Sequence, residues 1–252
     1  MQLAKHVKQG NLTYLSQQGD ALSISENEYY RWLAFGDVIQ SVMHKRKPWK
    51  LTLPHQTVML LPLLFFRPIN IIECGLGGGN FARFLTHLHP EITFTSIECN
   101  KKVIDCFNEY FNPEQAHINV IESRAEHWLE QTNIENPDWL ICDVYQQQLL
   151  EFKETIALLS TFVNAVDSTS CLSINLPDAS DQEVNLCLTV LQQLQTNHRI
   201  VYFHVPSYLN IVIHLIPEHW RIDNVPQKNK FAYLSKNVYQ HWRGFWRHFK
   251  EA

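Results

Sequence analysis

The 252-residue chain has no apolar stretch long enough to cross a membrane. Its longest apolar run, residues 58–66, is interrupted by Pro62 and falls far short of the ~20 residues a spanning helix needs. The first residues, through Ser16, carry no apolar core that would mark a signal peptide. The six cysteines form no Cys-x-x-Cys pair, which argues against a structural zinc site. Most lie in or beside apolar runs and read as reduced, buried thiols, so a cytoplasmic protein is expected. Charge is sparse at 18%, and the net charge of -4 gives no basis for general nucleic-acid binding. There is no Gly-x-Ser-x-Gly elbow, which leaves a serine hydrolase unsupported. The 13 histidines show no third partner at metal-ligand spacing, and surface or core roles are expected for them. Repeats and low-complexity linkers are also missing.

What is present is a globular composition, 45% apolar, with a change of pattern near residue 50. Residues 1–50 read as a β region with short strands at 12–15, 21–25, 29–33 and 38–43, punctuated by Gly19-Asp20 and Gly36-Asp37. Residues 55–66 are apolar almost all round and predict one buried helix. From Asn70 strands and helices alternate. Strands are expected at 70–74, 92–98, 117–122, 138–144 and 170–176, with helices at 79–89, 101–111, 126–131, 152–166 and 181–195 between and after them. Apolar strands alternating with helices predict a parallel sheet covered on both faces. The strands at 199–205 and 210–216 are separated by only a few residues and must pair antiparallel. The fold class is therefore α/β, a Rossmann-like, doubly wound and mainly parallel sheet ending in an antiparallel hairpin, with a small N-terminal β extension. That strand inventory is the one of class I methyltransferase folds. The expected division is 1–50, 51–222 for the Rossmann-like domain, and 223–252 as a basic, aromatic C-terminal tail. In that tail Trp242, Phe245, Trp246 and Phe249 share one helical face. They either bury on the chain's own sheet or a dimer mate, or form an interfacial or nucleic-acid-binding surface.

The strongest local signal is Glu73-Cys74-Gly75-Leu76-Gly77-Gly78-Gly79, placed between the first long strand and its helix. Glycines allow a tight turn and close approach of backbone to a ligand, and the helix start behind them is electropositive. Glu98 ends the next strand, where such folds hold ribose hydroxyls. A dinucleotide fingerprint would be Gly-x-Gly-x-x-Gly; the acid-first Gly-x-Gly-x-Gly form here favours an adenosyl-sulfonium ligand over NAD. The plainer alternative is a glycine turn that serves helix–sheet packing alone. At the end of the fourth strand Asp143 and Tyr145 read equally as substrate-touching groups and as a helix cap with a packed ring.

In these segments the chain resembles the spermidine synthase-like family of polyamine aminopropyltransferases, within the class I S-adenosylmethionine-dependent methyltransferase superfamily. The resemblance rests on residues 73–85, 92–111 and 138–145, on the upstream stretch 31–43 ending near Gln40-Ser41, and on 55–65. It implies a transferase that binds S-adenosylmethionine or decarboxylated S-adenosylmethionine, with methylthioadenosine as product or ligand. It implies Glu73, Gly75, Gly77 and Gly79 on the sulfonium side, Glu98 on the ribose, and Asp143 and Tyr145 as catalytic residues. Gln40 and His55 are implied to touch substrate. It also implies a small-molecule acceptor, no nucleic-acid or membrane partner, and a possible homodimer.

Several positions depart from the family pattern. Gly78 stands where the family has an Asp for the aminopropyl amine, and Gln146 replaces the second acid after the fourth strand. Ser123-Arg124-Ala125 replaces a Gly-Asp-Ala that contacts adenine, and His55 replaces a tyrosine. A polycationic acceptor needs carboxylates to offset desolvation of its ammonium groups, so these losses weigh against aminopropyl transfer. Base methylation is also disfavoured, since no Asn-Pro-Pro-aromatic run follows the fourth strand. The alternative is a catalytically silent relative that acts as a nucleoside-binding or partner protein; an Arg124 side chain filling the adenine side would favour it.

Overall fold

The computed structural model describes residues 9–16, 21–115, 117–131, 136–144, 152–194, 197–225 and 234–252. Four antiparallel strands open the chain: β1 (Asn11–Leu15), β2 (Leu22–Glu26), β3 (Tyr30–Phe35) and β4 (Val38–His44), paired in sequence order. Gly36, at φ 54, sits in the tight turn joining β3 to β4, where a positive φ suits the twist of the hairpin. Leu22, Ile24, Leu33 and Met43 are buried against Leu76, Val103, Phe107 and Phe111 of the following domain. Arg31 fastens the same contact by donating from Nη1 to the Tyr110 carbonyl at 2.5 Å. The N-terminal sheet therefore forms one wall over the glycine loop.

The expected helix at 55–66 is in fact two pieces, α1 (Pro54–Met59) and a 3-10 turn (Leu61–Leu64). Pro62 is the reason: it has no N–H to bond the Val58 carbonyl and its ring crowds that carbonyl. His214 Nε2 lies 3.1 Å from the Val58 oxygen and replaces the missing donor. With Nε2 donating, Nδ1 accepts from the Ser173 hydroxyl at 2.8 Å, and Ser173 Oγ in turn accepts from Trp139 Nε1 at 2.9 Å. Burial pushes the His214 imidazole down to about 3, so it is neutral in this network.

Next come β5 (Asn70–Cys74), α2 (Asn80–Leu88), β6 (Thr93–Glu98), α3 (Lys101–Cys106) with a π turn (Phe107–Phe111), and β7 (Asn119–Glu122). The second half holds α4 (Ala125–Gln131), β8 (Trp139–Cys142), α5 (Phe152–Asn164), β9 (Cys171–Leu176), α6 (Asp181–Leu194), β10 (His198–His204) and β11 (Ile211–Pro217). The chain ends in α7 (Lys236–Trp246) and a short strand β12 (Lys250–Glu251). The central sheet has 8 strands in the order β12-β10-β11-β9-β8-β5-β6-β7. β5 to β9 run parallel, whereas β11 pairs antiparallel with both β9 and β10. One face is covered by α1, α2 and α7, the other by α4, α5 and α6. After β7 the chain returns to the other side of β5, so the order reverses between β5 and β8. Open α/β sheets bind ligands at such a switch point, beyond the carboxyl ends of the strands.

The C-terminal aromatics bury on the chain's own fold. Trp242 and Trp246 are core residues, and the Trp246 ring lies 4.7 Å from Phe65 and 5.4 Å from Phe203. Its Nε1 donates to the Ile222 carbonyl at 3.0 Å. The two-residue strand β12, not foreseen from the sequence, extends the sheet edge, and Arg199 ties it down through Glu251. Five cysteines are buried thiols as expected, but Cys99 is exposed because β6 ends before it. No helix among the described residues is long and apolar enough to cross a membrane.

Candidate functional site

The glycine loop leaves β5 at its carboxyl end. Gly75 has φ 95, and a Cβ there would lie 2.3 Å from the Asp143 carbonyl oxygen, so both conformation and space demand glycine. Gly79, at φ 66, rests on the Phe107 ring, where a Cβ would approach to 2.3 Å. At Gly78 the space a side chain would need is taken by Ser41, whose Oγ would stand 2.4 Å from a Cβ. Gly77 has φ 49 but open surroundings. The π turn in the second helix-strand unit thus supplies the floor of the loop, with Phe107 under Gly79 and Phe111 beside Gly78.

Arg83, almost wholly buried, braces this floor from α2. It donates to the Pro48 and Phe111 carbonyls at 2.8 Å each, and also to the Gly78 carbonyl and to Asn80 Oδ1. Burial lowers its pKa to about 9, against the pull of Glu73 and Glu114. Glu73 is also buried, and it accepts the Ser96 hydroxyl at 2.7 Å. Burial, helped by the charges of Asp143 and Glu98, holds its carboxyl well above the usual range in spite of that hydrogen bond. Glu98 closes the loop from the side: its two carboxylate oxygens accept from Leu76 N at 3.2 Å and Asn100 N at 2.8 Å.

Opposite the loop, Asp143 follows β8. Its Oδ1 accepts from Asn175 Nδ2 at 2.8 Å, and Asn175 Oδ1 accepts from Asn210 Nδ2 at 3.0 Å. Its Oδ2 stands 3.7 Å from His55 Nε2. Burial works to raise the Asp143 pKa, but His55 and the Asn175 amide outweigh it and hold the carboxyl below its ordinary value.

These groups line one cavity of ≈ 510 Å³, together with Gln40, Ser123, Arg124, Asp178 and Tyr208. Of the residues singled out in the sequence, Glu73, Gly75, Gly77, Glu98, Asp143, Gln40 and His55 all lie on its wall. Gly79 sits behind, as the residue preceding α2. Tyr145 lies outside the described residues, as does Gln146. Arg124 does not fill the cavity: its side chain is 57% exposed and pairs with Glu126 at the rim. Asn175, Asn210 and Arg83 were not anticipated. Asn175 left one signal, a polar residue near the end of the otherwise apolar strand 170–176; Arg83 left another, a lone charge among Phe81, Phe84 and Leu85.

No family model matches the chain. A polyamine aminopropyltransferase of Neisseria meningitidis serogroup A is 32% identical over 114 residues, 43% of this chain and 43% of that protein. One from Chromobacterium violaceum is 35% identical over 97 residues, 37% of each. A probable polyamine aminopropyl transferase of Bifidobacterium longum is 29% identical over 109 residues, 43% of this chain and 24% of that protein. The matches thus span less than half of the length of these relatives. In fold, a probable spermidine synthase of Corynebacterium glutamicum superposes with a TM-score of 0.65 at 14% identity, covering 88% of this chain and 82% of that one. A spermidine synthase in complex with the transition-state analogue AdoDATO gives 0.63 at 14% identity, over 91% and 84%. Human methyltransferase-like protein 13, in complex with SAH, gives 0.57 at 16% identity, over 78% and 93%. The chain is thus similar over part of its length to polyamine aminopropyltransferases, and it has the class I methyltransferase fold seen in the spermidine synthases.

Proposed function

We propose that the protein is a transferase that takes an adenosyl-sulfonium donor and passes a group to a small acceptor. The observation that carries this reading is the cavity bounded by the glycine loop and Glu98 on one side and by Asp143 and His55 on the other. The residues present fit such a donor. Gly75 lets the loop pack tightly onto the Asp143 backbone, Gly77 on the cavity wall has nothing within 4 Å of where a Cβ would stand, Glu98 stands at the end of β6 where a ribose is held, and the cavity lies in the size range of small-molecule sites. A relative named polyamine aminopropyltransferase and fold neighbours bound to AdoDATO and SAH support the same donor class.

A bound sulfonium supplies an intrinsically electrophilic carbon, so the protein's task is placement and management of the acceptor's proton. Asp143 is fixed by the Asn210–Asn175 amide chain and kept ionised. It orients His55, whose ring reaches the same wall and takes a proton from an acceptor amine or hydroxyl. Among the described carboxylates on the cavity wall, Glu73 accepts from Ser96, Glu98 from two backbone N–H groups, Glu126 pairs with Arg124 and Asp143 answers His55, which leaves Asp178. Such a set favours an acceptor carrying at most one ammonium over a long polyamine, whose charges each need a partner.

The test is incubation with each donor form and a panel of small amines and hydroxy compounds, with released S-adenosylhomocysteine or methylthioadenosine measured by mass spectrometry. Acceptor-dependent release, reduced about a hundredfold or more in Asp143→Asn, is expected. Nucleoside release independent of every acceptor, or unchanged in Asp143→Asn, would contradict the assignment of that end of the cavity.

A further inference from the structure

Resting on the transferase reading above, we infer that the acceptor is a primary amine with an apolar body, seated against a wall that the N-terminal sheet adds to the cavity. The consecutive residues Val38, Ile39, Gln40 and Ser41 of β4 all line the cavity. A regular strand turns successive side chains to opposite faces, so such a run needs a break in register. The break is present: Leu33 pairs with Ser41 and Ala34 with Ile39, which leaves Gln40 as an extra residue on β4. Bulges of this kind re-aim side chains and are over-represented beside active sites.

The wall is largely apolar. Phe35 pairs with Val38 at the end of the β3–β4 hairpin, Ile39 follows, and Leu53 joins them from the residue before α1. Phe35, Ile39 and Leu53 are half-buried and Val38 is 48% exposed, so they keep apolar surface for a ligand. The nucleoside side has apolar residues of its own: Ile97 next to Glu98 on β6, Val103 on α3 and Ala125 at the start of α4. A nucleoside held by Glu98 therefore leaves the hairpin wall to the second substrate, on the side where α1 brings His55. Charge sets the rest of the class. Asp178 is the carboxylate left over on the cavity wall, and Asp37 in the hairpin turn does not line the cavity. One ammonium can thus be matched, whereas a second would lose its water against Phe35, Val38 and Ile39. An alkyl or aromatic body gains from the same surface, about fourfold per buried methylene. In the transfer the ammonium gives one proton to His55. The neutral nitrogen then bonds to the donor carbon as the carbon–sulfur bond breaks, and that electron pair stays on sulfur.

The experiment measures kcat/KM for straight-chain amines with S-adenosylmethionine and its decarboxylated form in parallel, reading the nucleoside product by mass spectrometry. From propylamine to pentylamine the value should rise about fourfold per methylene. Pentylamine should exceed 1,4-diaminobutane, the same chain with an ammonium in place of the terminal methyl, by roughly tenfold or more. Val38→Asp places a carboxylate on the wall at an exposed position and, after a thermal melt confirms folding, should lower that ratio about tenfold. A flat series, a preference for the diamine in the wild-type chain, or a ratio unchanged in Val38→Asp would overturn the apolar wall and leave the transferase reading standing. Turnover of hydroxy compounds but of no amine would overturn the amine class in the same way. If no acceptor of either kind is consumed with either donor, the transferase reading itself falls, and this inference with it.

Discussion

Gly75→Ala probes the joint between the two sides of the cavity. The residue sits at φ 95, and the added Cβ would lie 2.3 Å from the Asp143 carbonyl oxygen and 2.9 Å from its carbon. The left-handed conformation alone costs an alanine about 1–2 kcal/mol. The contact is with backbone, which has no rotamer to escape into, so overpacking adds about 1–3 kcal/mol. Gly77→Ala is the control: its φ is 49 and nothing lies within 4 Å, so only the conformational cost applies. Urea unfolding of both variants should therefore place Gly75→Ala about 1–3 kcal/mol below Gly77→Ala. In a thermal melt the gap corresponds to roughly 2–12 °C for a chain of this size. Any relaxation must move the Asp143 backbone, so the pairing of Asp143 with His55 is disturbed as well. Equal midpoints for the two variants would refute the close approach of the loop to β8.

Three further outcomes follow from the same packing. Arg83→Met strips donors from the buried carbonyls of Pro48, Gly78 and Phe111 and should cost about 3 kcal/mol or more in urea unfolding. Glu73→Gln tests the buried carboxyl. Its raised folded pKa means the native state holds a proton that the unfolded chain releases, so its contribution is intact below the ordinary carboxyl value of about 4.3 and is lost as pH rises through the raised value. The glutamine variant keeps an acceptor for Ser96 and does not titrate. Wild type should therefore lose stability relative to Glu73→Gln as melts are repeated at increasing pH, and a difference that stays flat or rises would contradict the burial. Trp246→Ala removes a ring packed on Phe65 and Phe203 and the donor to the Ile222 carbonyl, for about 3–5 kcal/mol by chemical denaturation.

The sheet and its helices were legible in the sequence because each segment announces itself through its own periodicity. Phe81, Leu85 and their neighbours mark one helix face, and the runs at 70–74 and 170–176 are apolar on both sides. The break at Pro62 was harder to read, since apolar residues continue through it and its consequence depends on His214 far along the chain. Edge strand β12 is too short to carry any period. The glycine-loop side of the cavity was legible for the same local reason: Glu73 to Gly79 are contiguous, and Glu98 ends the next strand. The opposite side of the cavity was legible only in part. Asp143 and His55 could be singled out one at a time, but their meeting, and the supporting chain of Asn175 and Asn210, comes from the order of β8, β9 and β11 in the sheet. Arg83 and Asn80 were hidden for another reason. Their importance lies in what is buried around them, and a helix pattern alone does not reveal that the polar face of α2 is covered by the N-terminal strands and the π turn.

The most direct measurement is calorimetric titration of the folded chain with methylthioadenosine, the nucleoside part common to every donor considered. A single site with a micromolar dissociation constant, weakened at least tenfold in Gly75→Ala and accompanied by an upward shift in melting temperature on saturation, is the expected result. Absence of binding at millimolar ligand, with the protein shown to be folded, would contradict a nucleoside site at the glycine loop.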